Sequence, residues 1–337
     1  MRRPRSVKAL GVILMLAAAA AVAVAAAAVS RQAPGPPLPL KLVANVALPG
    51  PSNRFDYTSI DPTTGRLYIA HMNAGELLVF DIHKRRVVRT IAAPGVHGVI
   101  AVPQIHRVYA SATDARQLYT IDSSTGRVLA RAPAGEYPDG LVYDPVERHV
   151  FVSDESGGIE AVFNAEGRRI ATVQLGGEAG NVQYDPGSGK VLADVQSRDE
   201  VAVIDPRSNR VVRRVTLPGC DHPHGLSLDA PRRVAFVACD GNARLLTLDL
   251  GTMKVTGSMQ VGDSPDVLAF DKSLRRLYVA AESGVVTVAA ERGRSLAKLG
   301  QRRLAPNAHT VAVDPVTHVV YFPLESGPEL RIMKPTG

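Results

Sequence analysis

Histidine and aspartate residues recur along this chain at one repeating position. The position returns every 41 to 44 residues and is occupied, in order, by Asp56, His97, Asp139, Gly180, His224, Asp266 and His309. Imidazole nitrogens bind first-row divalent ions, and carboxylate oxygens bind these ions as well as Ca²⁺ and Mg²⁺. The candidate metal ligands are therefore the three histidines, His97, His224 and His309. The alternative is that these side chains cap the turns of a repeated structure and hold no ligand.

These side chains belong to a unit of about 42 residues that occurs seven times. A turn, usually Asp-Pro, begins five residues after each recurring position, at Asp61, Val102, Asp144, Asp185, Asp229, Asp271 and Asp314. One apolar stretch precedes the turn and three follow it, separated by the Asp, Gly and Asn residues that favour tight turns. Four short strands in a unit of this length are typical of a propeller blade. The sequence therefore predicts an all-β fold, a seven-bladed β-propeller with four-stranded antiparallel blades.

The seventh unit ends before its fourth strand. After residues 329–333 only four residues remain, whereas residues 40–48 have the composition of a strand and precede the first unit. We expect this N-terminal strand to complete the last blade, which closes the ring and covers an open sheet edge. The propeller domain then spans residues 41–337.

Equivalent positions in seven blades form a ring around one mouth of the central channel. Loops after the second strands open on the same face and contribute His71, Asp114, Asp154, Glu155, Asp240 and Glu282. The predicted ligand-binding set is Asp56, His71, His97, Asp139, His222, His224, Asp240, Asp266 and His309. Gly180 interrupts the ring in the fourth blade, where we expect a gap through which a ligand could enter.

The two cysteines, Cys220 and Cys239, lie at the same end of two adjacent predicted strands. Their separation of 19 residues lacks the paired spacing of a zinc site, and two cysteines in an exported chain favour a disulfide. The alternative is a pair of buried free thiols. A catalytic role for Cys220 requires a reduced thiol outside the cell, so we assign no catalytic residue.

The phrases RLYIAHMNAGELLVFD and RLYVAAESGVVTV, with the Asp-Pro turns, resemble the YVTN-repeat or YncE-like family of exported seven-bladed propellers. The resemblance covers about residues 41–334 and implies the fold and export but no particular activity. Gluconolactonase-like enzymes, amidating lyases and streptogramin lyases are similar in carrying metal ligands at a propeller mouth. Their other motifs are not matched in this sequence.

Residues 1–30 have the layout of a signal peptide or an N-terminal membrane anchor. Basic residues precede an alanine-rich apolar run at 9–29, which is long enough to span a bilayer if it is not cleaved. Residues 31–40 contain four prolines and predict an extended linker. Four of the seven net positive charges lie in the first eight residues, so the propeller itself is only mildly basic. We expect a periplasmic or extracellular protein, either free or anchored to the inner membrane.

Three functions follow from these features. The first is a monomeric binding propeller that holds a small ligand, a peptide or a periplasmic protein at the funnel face. The second is a metal-dependent lyase or hydrolase, lactonase-like, in which the ring holds a divalent ion that activates water. The third is a propeller that binds DNA or another polyanion through arginine pairs such as Arg85-Arg86 and Arg213-Arg214. No aromatic and basic stacking platform for nucleic acid is present, and the first function is favoured because no catalytic set is complete.

Overall fold

The computed structural model describes residues 36–336. The predicted export segment and the beginning of the linker lie outside the described residues. Within residues 36–336 the chain forms 28 strands and no α-helix, and no helix there could cross a membrane. Five short 3-10 helices occupy Met72–Ala74, Pro103–Ile105, Gln196–Arg198, Ala230–Arg232 and Asp240–Asn242.

The strands form seven four-stranded antiparallel sheets, which confirms the predicted seven-bladed propeller. Blade 1 contains β2 (Thr58–Asp61), β3 (Arg66–His71), β4 (Glu76–Asp81) and β5 (Arg86–Ala92). Blade 2 contains β6 (Val96–Val102), β7 (Arg107–Ala112), β8 (Gln117–Asp122) and β9 (Val128–Pro133). Blade 3 contains β10 (Pro138–Asp144), β11 (His149–Asp154), β12 (Ile159–Asn164) and β13 (Arg169–Gln174). Blade 4 contains β14 (Ala179–Asp185), β15 (Lys190–Val195), β16 (Glu200–Asp205) and β17 (Arg210–Thr216).

The remaining strands follow the same order along the chain. Blade 5 contains β18 (Pro223–Asp229), β19 (Val234–Cys239), β20 (Arg244–Asp249) and β21 (Lys254–Gln260). Blade 6 contains β22 (Pro265–Asp271), β23 (Arg276–Ala281), β24 (Val285–Arg292) and β25 (Ser295–Arg303). Blade 7 contains β26 (Ala312–Val313), β27 (Val320–Leu324), β28 (Glu329–Pro335) and, as its outer strand, β1 (Leu40–Ala47).

The N-terminal strand closes the ring as the sequence predicts. Strand β1 pairs antiparallel with β28, from Leu40 opposite Pro335 to Ala47 opposite Glu329. The proline-rich segment before it is also bound to the propeller, because the carbonyl of Pro36 accepts a hydrogen bond from Gln301 N at 3.0 Å. The two ends of the chain thus stabilise the same blade, and β1 covers an edge that would otherwise be open.

Apolar side chains pack between neighbouring blades because each inner strand alternates its two faces. One cluster joins Tyr68 and Ala70 of blade 1 to Val99 and Val108 of blade 2. Aromatic residues at equivalent places in several blades are among the largest fully buried side chains. The core therefore lies between the blades rather than at one centre, and the innermost strands are left to line the channel.

The repeated turn is stabilised by the aspartate hydrogen bonds that its sequence predicts. Asp61 Oδ1 accepts a hydrogen bond from Thr63 N at 2.9 Å, and Asp185 Oδ1 accepts one from Gly187 N at 2.9 Å. The residue four places after each turn start has a positive φ in all seven blades, namely Gly65, His106, Arg148, Gly189, Arg233, Arg275 and His318. Most of these residues are not glycine, so the turn geometry is kept at some cost in backbone strain.

The predicted disulfide between Cys220 and Cys239 is present. The Cα atoms are 5.3 Å apart, and Cys239 ends β19 opposite Pro223 at the beginning of β18. The bond ties the loop that enters blade 5 to the second strand of the same blade. Disulfides are typical of oxidising compartments, so this bond suggests an extracytoplasmic environment.

Candidate functional site

Local irregularities in the inner strands direct the recurring side chains toward one mouth of the channel. In blades 2 to 6 the recurring residue is the second residue of the first strand. The pairing register shifts there, for example between Val96 and Val99 in blade 2 and between Pro138 and Leu141 in blade 3. Such β-bulges redirect a side chain out of the regular alternation. We call the seven residues at this position the His/Asp ring: Asp56, His97, Asp139, Gly180, His224, Asp266 and His309.

Acidic and basic side chains alternate around the His/Asp ring. His97 Nε2 lies 3.1 Å from Asp56 Oδ2 and 3.4 Å from Asp139 Oδ1. His309 Nε2 lies 3.6 Å from Asp56 Oδ2 on the other side. His224 Nε2 lies 3.2 Å from Asp266 Oδ1 of the next blade. An odd number of positions cannot alternate in charge around a closed ring. Gly180 stands between Asp139 and His224, where an acidic residue would lie beside Asp139 and a basic residue beside His224.

These pairings keep the ring histidines protonated. Burial by itself lowers the pKa of His97, but Asp139 and Asp56 raise that pKa to about 9. Burial likewise opposes the charge of His224, and Asp266 raises its pKa to about 10. For His309, Asp56 raises the pKa to about 9 against the effect of burial. At neutral pH the three ring histidines are therefore imidazolium groups.

The His/Asp ring does not have the arrangement of a metal centre. Each of the three candidate ligands, His97, His224 and His309, directs Nε2 at a carboxylate. Within residues 36–336 no group of three or more His, Cys, Asp or Glu side chains is placed to hold a metal ion. Binding of a divalent ion by these three histidines therefore stays a prediction, and it would require each imidazole to lose its proton and turn away from its carboxylate.

Arg54 is a site residue that the sequence analysis missed. Its Nε donates to Asp56 Oδ2 at 2.8 Å, and its Nη1 donates to Glu282 Oε1 at 2.9 Å. Its Nη2 is 4.0 Å from Asp266 Oδ2. Burial opposes its charge, but Asp56 and the other carboxylates hold its pKa above the usual value. Arg54 lies two residues before the ring position, and the residue type at this place differs in every other blade, so the repeat did not mark it.

Tyr57 is a second missed residue, and it crosses the channel. It follows Asp56 in blade 1, yet its hydroxyl accepts a hydrogen bond from Asn181 Nδ2 of blade 4 at 2.7 Å. The same hydroxyl is 3.5 Å from His224 Nε2 of blade 5. Its ring centroid is 5.9 Å from that of His97. A side chain that reaches from blade 1 to blades 4 and 5 divides the channel into two compartments.

We call the compartment on the ring side of Tyr57 the upper cavity. It has a volume of about 320 Å³ and is lined by Arg54, Met72, His97, Tyr137, Asp139, Glu155, Gln196, His224, Asp240, Asp266 and Glu282. The compartment on the other side has a volume of about 290 Å³ and is lined by Tyr57, Asn181 and mainly apolar residues of the inner strands, such as Val99, Leu141 and Leu226. Charged side chains are thus confined to one side of the Tyr57 ring.

Four of the residues expected at the funnel have other surroundings. His71 is buried and stacks on Phe55 at 4.1 Å, where burial lowers its pKa. Asp154 accepts hydrogen bonds from Tyr137 N at 2.7 Å and from Glu136 N at 3.0 Å, so it is a turn cap. His222 is half-exposed on a loop, 3.8 Å from Glu178, and Asp114 packs against Gly95. Neither residue lines the upper cavity.

The gap expected beside Gly180 is filled. A Cβ atom at this glycine would lie 2.9 Å from Pro223 O, 3.0 Å from Asp194 Cβ and 3.3 Å from Gln196 Cγ. Gln196 lines the upper cavity and donates from Nε2 to Ala179 O at 2.8 Å. The glycine therefore makes room for neighbouring side chains rather than for a ligand.

Three of the recurring arginines are paired with carboxylates. Arg233 donates to Asp185 Oδ1 at 2.6 Å, and Arg275 donates to Glu291 Oε2 at 3.0 Å. Arg214 pairs with Glu200. Each of these pairs places a carboxylate beside the guanidinium, which weakens the attraction to a polyanion.

The fold and the channel define this chain as a seven-bladed β-propeller with a polar cavity beside the His/Asp ring. Among solved structures it is similar to hydrazine synthase of Kuenenia stuttgartiensis, with a TM-score of 0.73 and 14% identity over 85% of this chain and 96% of that chain. A likeness at this identity shows the propeller fold alone. No family model and no curated protein sequence matches this chain, so membership of the YVTN-repeat or YncE-like family stays a prediction.

Proposed function

We propose that this protein is an exported binding propeller that holds a small polar molecule in the upper cavity. The observation that carries the proposal is the position of Tyr57, which joins Asn181 on the far side of the ring. A channel blocked at this level becomes a pocket with one entrance and a charged wall. Propeller mouths of this kind are common ligand sites, because loops from several blades converge there.

Binding is favoured over catalysis by the state of the ring. A general base near neutral pH needs a pKa close to 7, whereas the pKa values of His97 and His224 are about 9 and 10. Asp56 has a pKa well below the usual value, because His97 and His309 overcome the effect of its burial. The ring histidines and Asp56 are thus held in one charge state near neutral pH, which suits recognition better than proton transfer by these groups.

Export is supported by two independent features. The signal-like composition of residues 1–30 predicts passage across a membrane, and the Cys220–Cys239 disulfide is typical of an oxidising compartment. Cleavage of the segment gives a free periplasmic or extracellular protein, and retention gives an anchored one.

The metal-dependent lyase or hydrolase is the second candidate. Its test is the metal content of protein purified without chelator, compared between wild type and His224→Gln. One divalent ion per chain in wild type and none in His224→Gln would support a metal site instead of a ring of ion pairs.

The binding proposal is tested by thermal unfolding with a panel of small polar compounds. The panel contains amino acids, sugars, dicarboxylates and aliphatic amines, and hits are measured by calorimetry. We expect at least one class to bind wild type and to bind Tyr57→Ala at least about tenfold more weakly, because that variant opens the cavity floor. Tyr184→Ala is the matched control, since Tyr184 is half-buried on β14 and does not line the upper cavity. A panel with no binder, or equal affinity of Tyr57→Ala, would contradict the proposal.

A further inference from the structure

We infer that the ligand of the upper cavity is an organic cation, an aliphatic amine or diamine. This inference rests on the proposed function, since it names the ligand class of the same cavity. The evidence is the balance of charge on the cavity wall, the carboxyl groups that the protein leaves without a cation, and the space between them.

The wall of the upper cavity carries more acidic than basic groups. Five carboxyl side chains line it: Asp139, Glu155, Asp240, Asp266 and Glu282. Three basic side chains line it: Arg54, His97 and His224. The basic groups are already engaged, because Arg54 pairs with Glu282 and His224 pairs with Asp266. Carboxyl groups therefore outnumber the basic groups that could pair with them.

Three carboxyl groups that line the cavity have few or no hydrogen-bond partners among the described residues. The Glu155 side chain makes no hydrogen bond or ion pair with any residue of the described chain, and Asp240 is hydrogen-bonded only to Ser264. Asp139 is buried, with its side chain 2% exposed, and its Oδ1 has no hydrogen-bond donor although His97 is 3.4 Å away. A buried acceptor without a donor is costly unless a ligand supplies one.

The titration of these groups points the same way. Burial raises the pKa of Glu155 to about 7. The charges of Asp139 and Glu178 also act to raise this pKa, whereas those of His224 and His97 act to lower it. Burial also raises the pKa of Asp240. Carboxyl groups that are reluctant to ionise in the empty cavity would ionise beside a bound ammonium group.

The shape of the cavity favours an organic cation over a metal ion. The carboxyl groups are spread around about 320 Å³, and in the part of the chain that the structure describes they form no metal-binding group. An ammonium group has three N–H donors and can reach separate acceptors. Tyr137 and Met72 also line the cavity, and they offer apolar and aromatic surface to a carbon chain beside the charge.

The experiment compares three probes of equal chain length and different charge. They are 1,4-diaminobutane, 1,4-butanediol and succinate, each titrated calorimetrically into the mature protein at pH 7 and low salt. We expect the diamine to bind at least about tenfold more tightly than either of the others. We also expect its binding to release protons, seen as a heat that changes with the ionisation enthalpy of the buffer.

Variants at Glu155 connect the binding to the cavity. Glu155→Gln should weaken diamine binding about tenfold and reduce the proton release, whereas Glu155→Asp should retain part of both. Glu166→Gln is the matched control, because Glu166 lies on the exposed turn between β12 and β13, at the other end of the blade. Circular dichroism establishes that each variant is folded.

The outcomes separate this inference from the proposed function. Preference for succinate or butanediol, or an unchanged affinity in Glu155→Gln, overturns the organic cation and leaves a binding propeller. If the diamine does not bind while another compound of the wider panel does, the organic cation is also overturned and a binding propeller remains. Absence of any binder overturns both proposals.

Discussion

Tyr57 and Asn181 lie on opposite sides of the propeller axis and are joined by a hydrogen bond of 2.7 Å from Asn181 Nδ2 to the Tyr57 hydroxyl. Blade 1 is thereby linked directly to blade 4 through the middle of the ring. Tyr57 stands at a position where blades 2, 3 and 5 have Gly98, Gly140 and Gly225. One large side chain among small ones is what closes the channel.

This link should have a measurable coupling energy. Tyr57→Phe and Asn181→Ala are each expected to lower the free energy of unfolding by about 1 kcal/mol, and the double variant by clearly less than the sum of the two. Chemical denaturation of the four proteins gives the coupling. Tyr119→Phe is the control, because Tyr119 contacts Arg131 through its ring face. Strict additivity would mean that the hydrogen bond contributes nothing.

The His/Asp ring predicts that stability falls as the solution becomes alkaline. The pKa values of His97, His224 and His309 in the folded protein are about 9, 10 and 9, above the usual 6.5. Groups with raised pKa values contribute stability that is complete below pH 6.5 and is lost as the pH rises through 9 to 10. Glu160, buried on β12 with a pKa of about 8, acts in the same direction.

The measurement is the unfolding temperature from pH 6 to pH 10 at constant ionic strength. We expect a decline that begins near pH 6.5, is steepest between about pH 7 and pH 9, and is shallower in His309→Gln, which removes one titrating group. A flat or rising profile in wild type would show that the histidines are not held as imidazolium ions.

The wild-type Asp194 side chain is expected to lower the stability of the folded protein. Its carboxyl group is fully buried, neither oxygen has a hydrogen-bond partner among the described residues, and burial raises its pKa well above the usual value. The equivalent residues of blades 1, 5 and 6 are Ala70, Ala238 and Ala280. Asp194→Ala should therefore increase the free energy of unfolding by about 1–3 kcal/mol, and more at higher pH because the unfolded chain ionises freely.

Denaturant unfolding at pH 6 and pH 8 measures this gain. Asp263→Ala, at an exposed aspartate, is the matched control and should change stability by less than about 0.5 kcal/mol. A loss of stability in Asp194→Ala would mean that this carboxyl group has a partner that stabilises it.

The disulfide should make a large contribution to stability. Cys220 and Cys239 close a loop with a sequence separation of 19 residues, for which the chain-entropy model gives about 3 kcal/mol. Replacing both cysteines by alanine should lower the free energy of unfolding by roughly this amount. Thiol titration of denatured, unreduced protein from an oxidising compartment is the companion measurement, and two free thiols per chain would contradict the bond.

Two arginines at the strained turn position should respond oppositely to glycine. Arg148 has a positive φ and only an exposed contact of 4.0 Å with Glu166, so Arg148→Gly should raise stability by about 1 kcal/mol. Arg233 has the same backbone conformation but holds the buried carboxylate of Asp185 at 2.6 Å. Arg233→Gly should lower stability by about 1–2 kcal/mol. Changes of the same sign in both variants would contradict this account of the turns.

The architecture of this protein could be predicted from its repeats. The turn residues from Asp61 to Asp314 return at nearly constant spacing, and each unit must bury its apolar strands against the next, so blade number and ring closure follow from local patterns. The disulfide followed too, because Cys220 and Cys239 fall at the same end of adjacent strands. The His/Asp ring was visible for the same reason, since a repeat places equivalent residues at equivalent radius and height.

The partners of the ring side chains could not be predicted from the repeats. Whether His97, His224 and His309 meet one ion or separate carboxylates depends on the channel radius and on side-chain direction, neither of which the repeat encodes. Arg54, Tyr57 and Gln196 enter the site from positions that vary between blades, so no periodic signal marked them. Asn181 became the partner of Tyr57 because closing the ring brings blades 1 and 4 across one axis, a contact between residues 124 positions apart that no local pattern could predict.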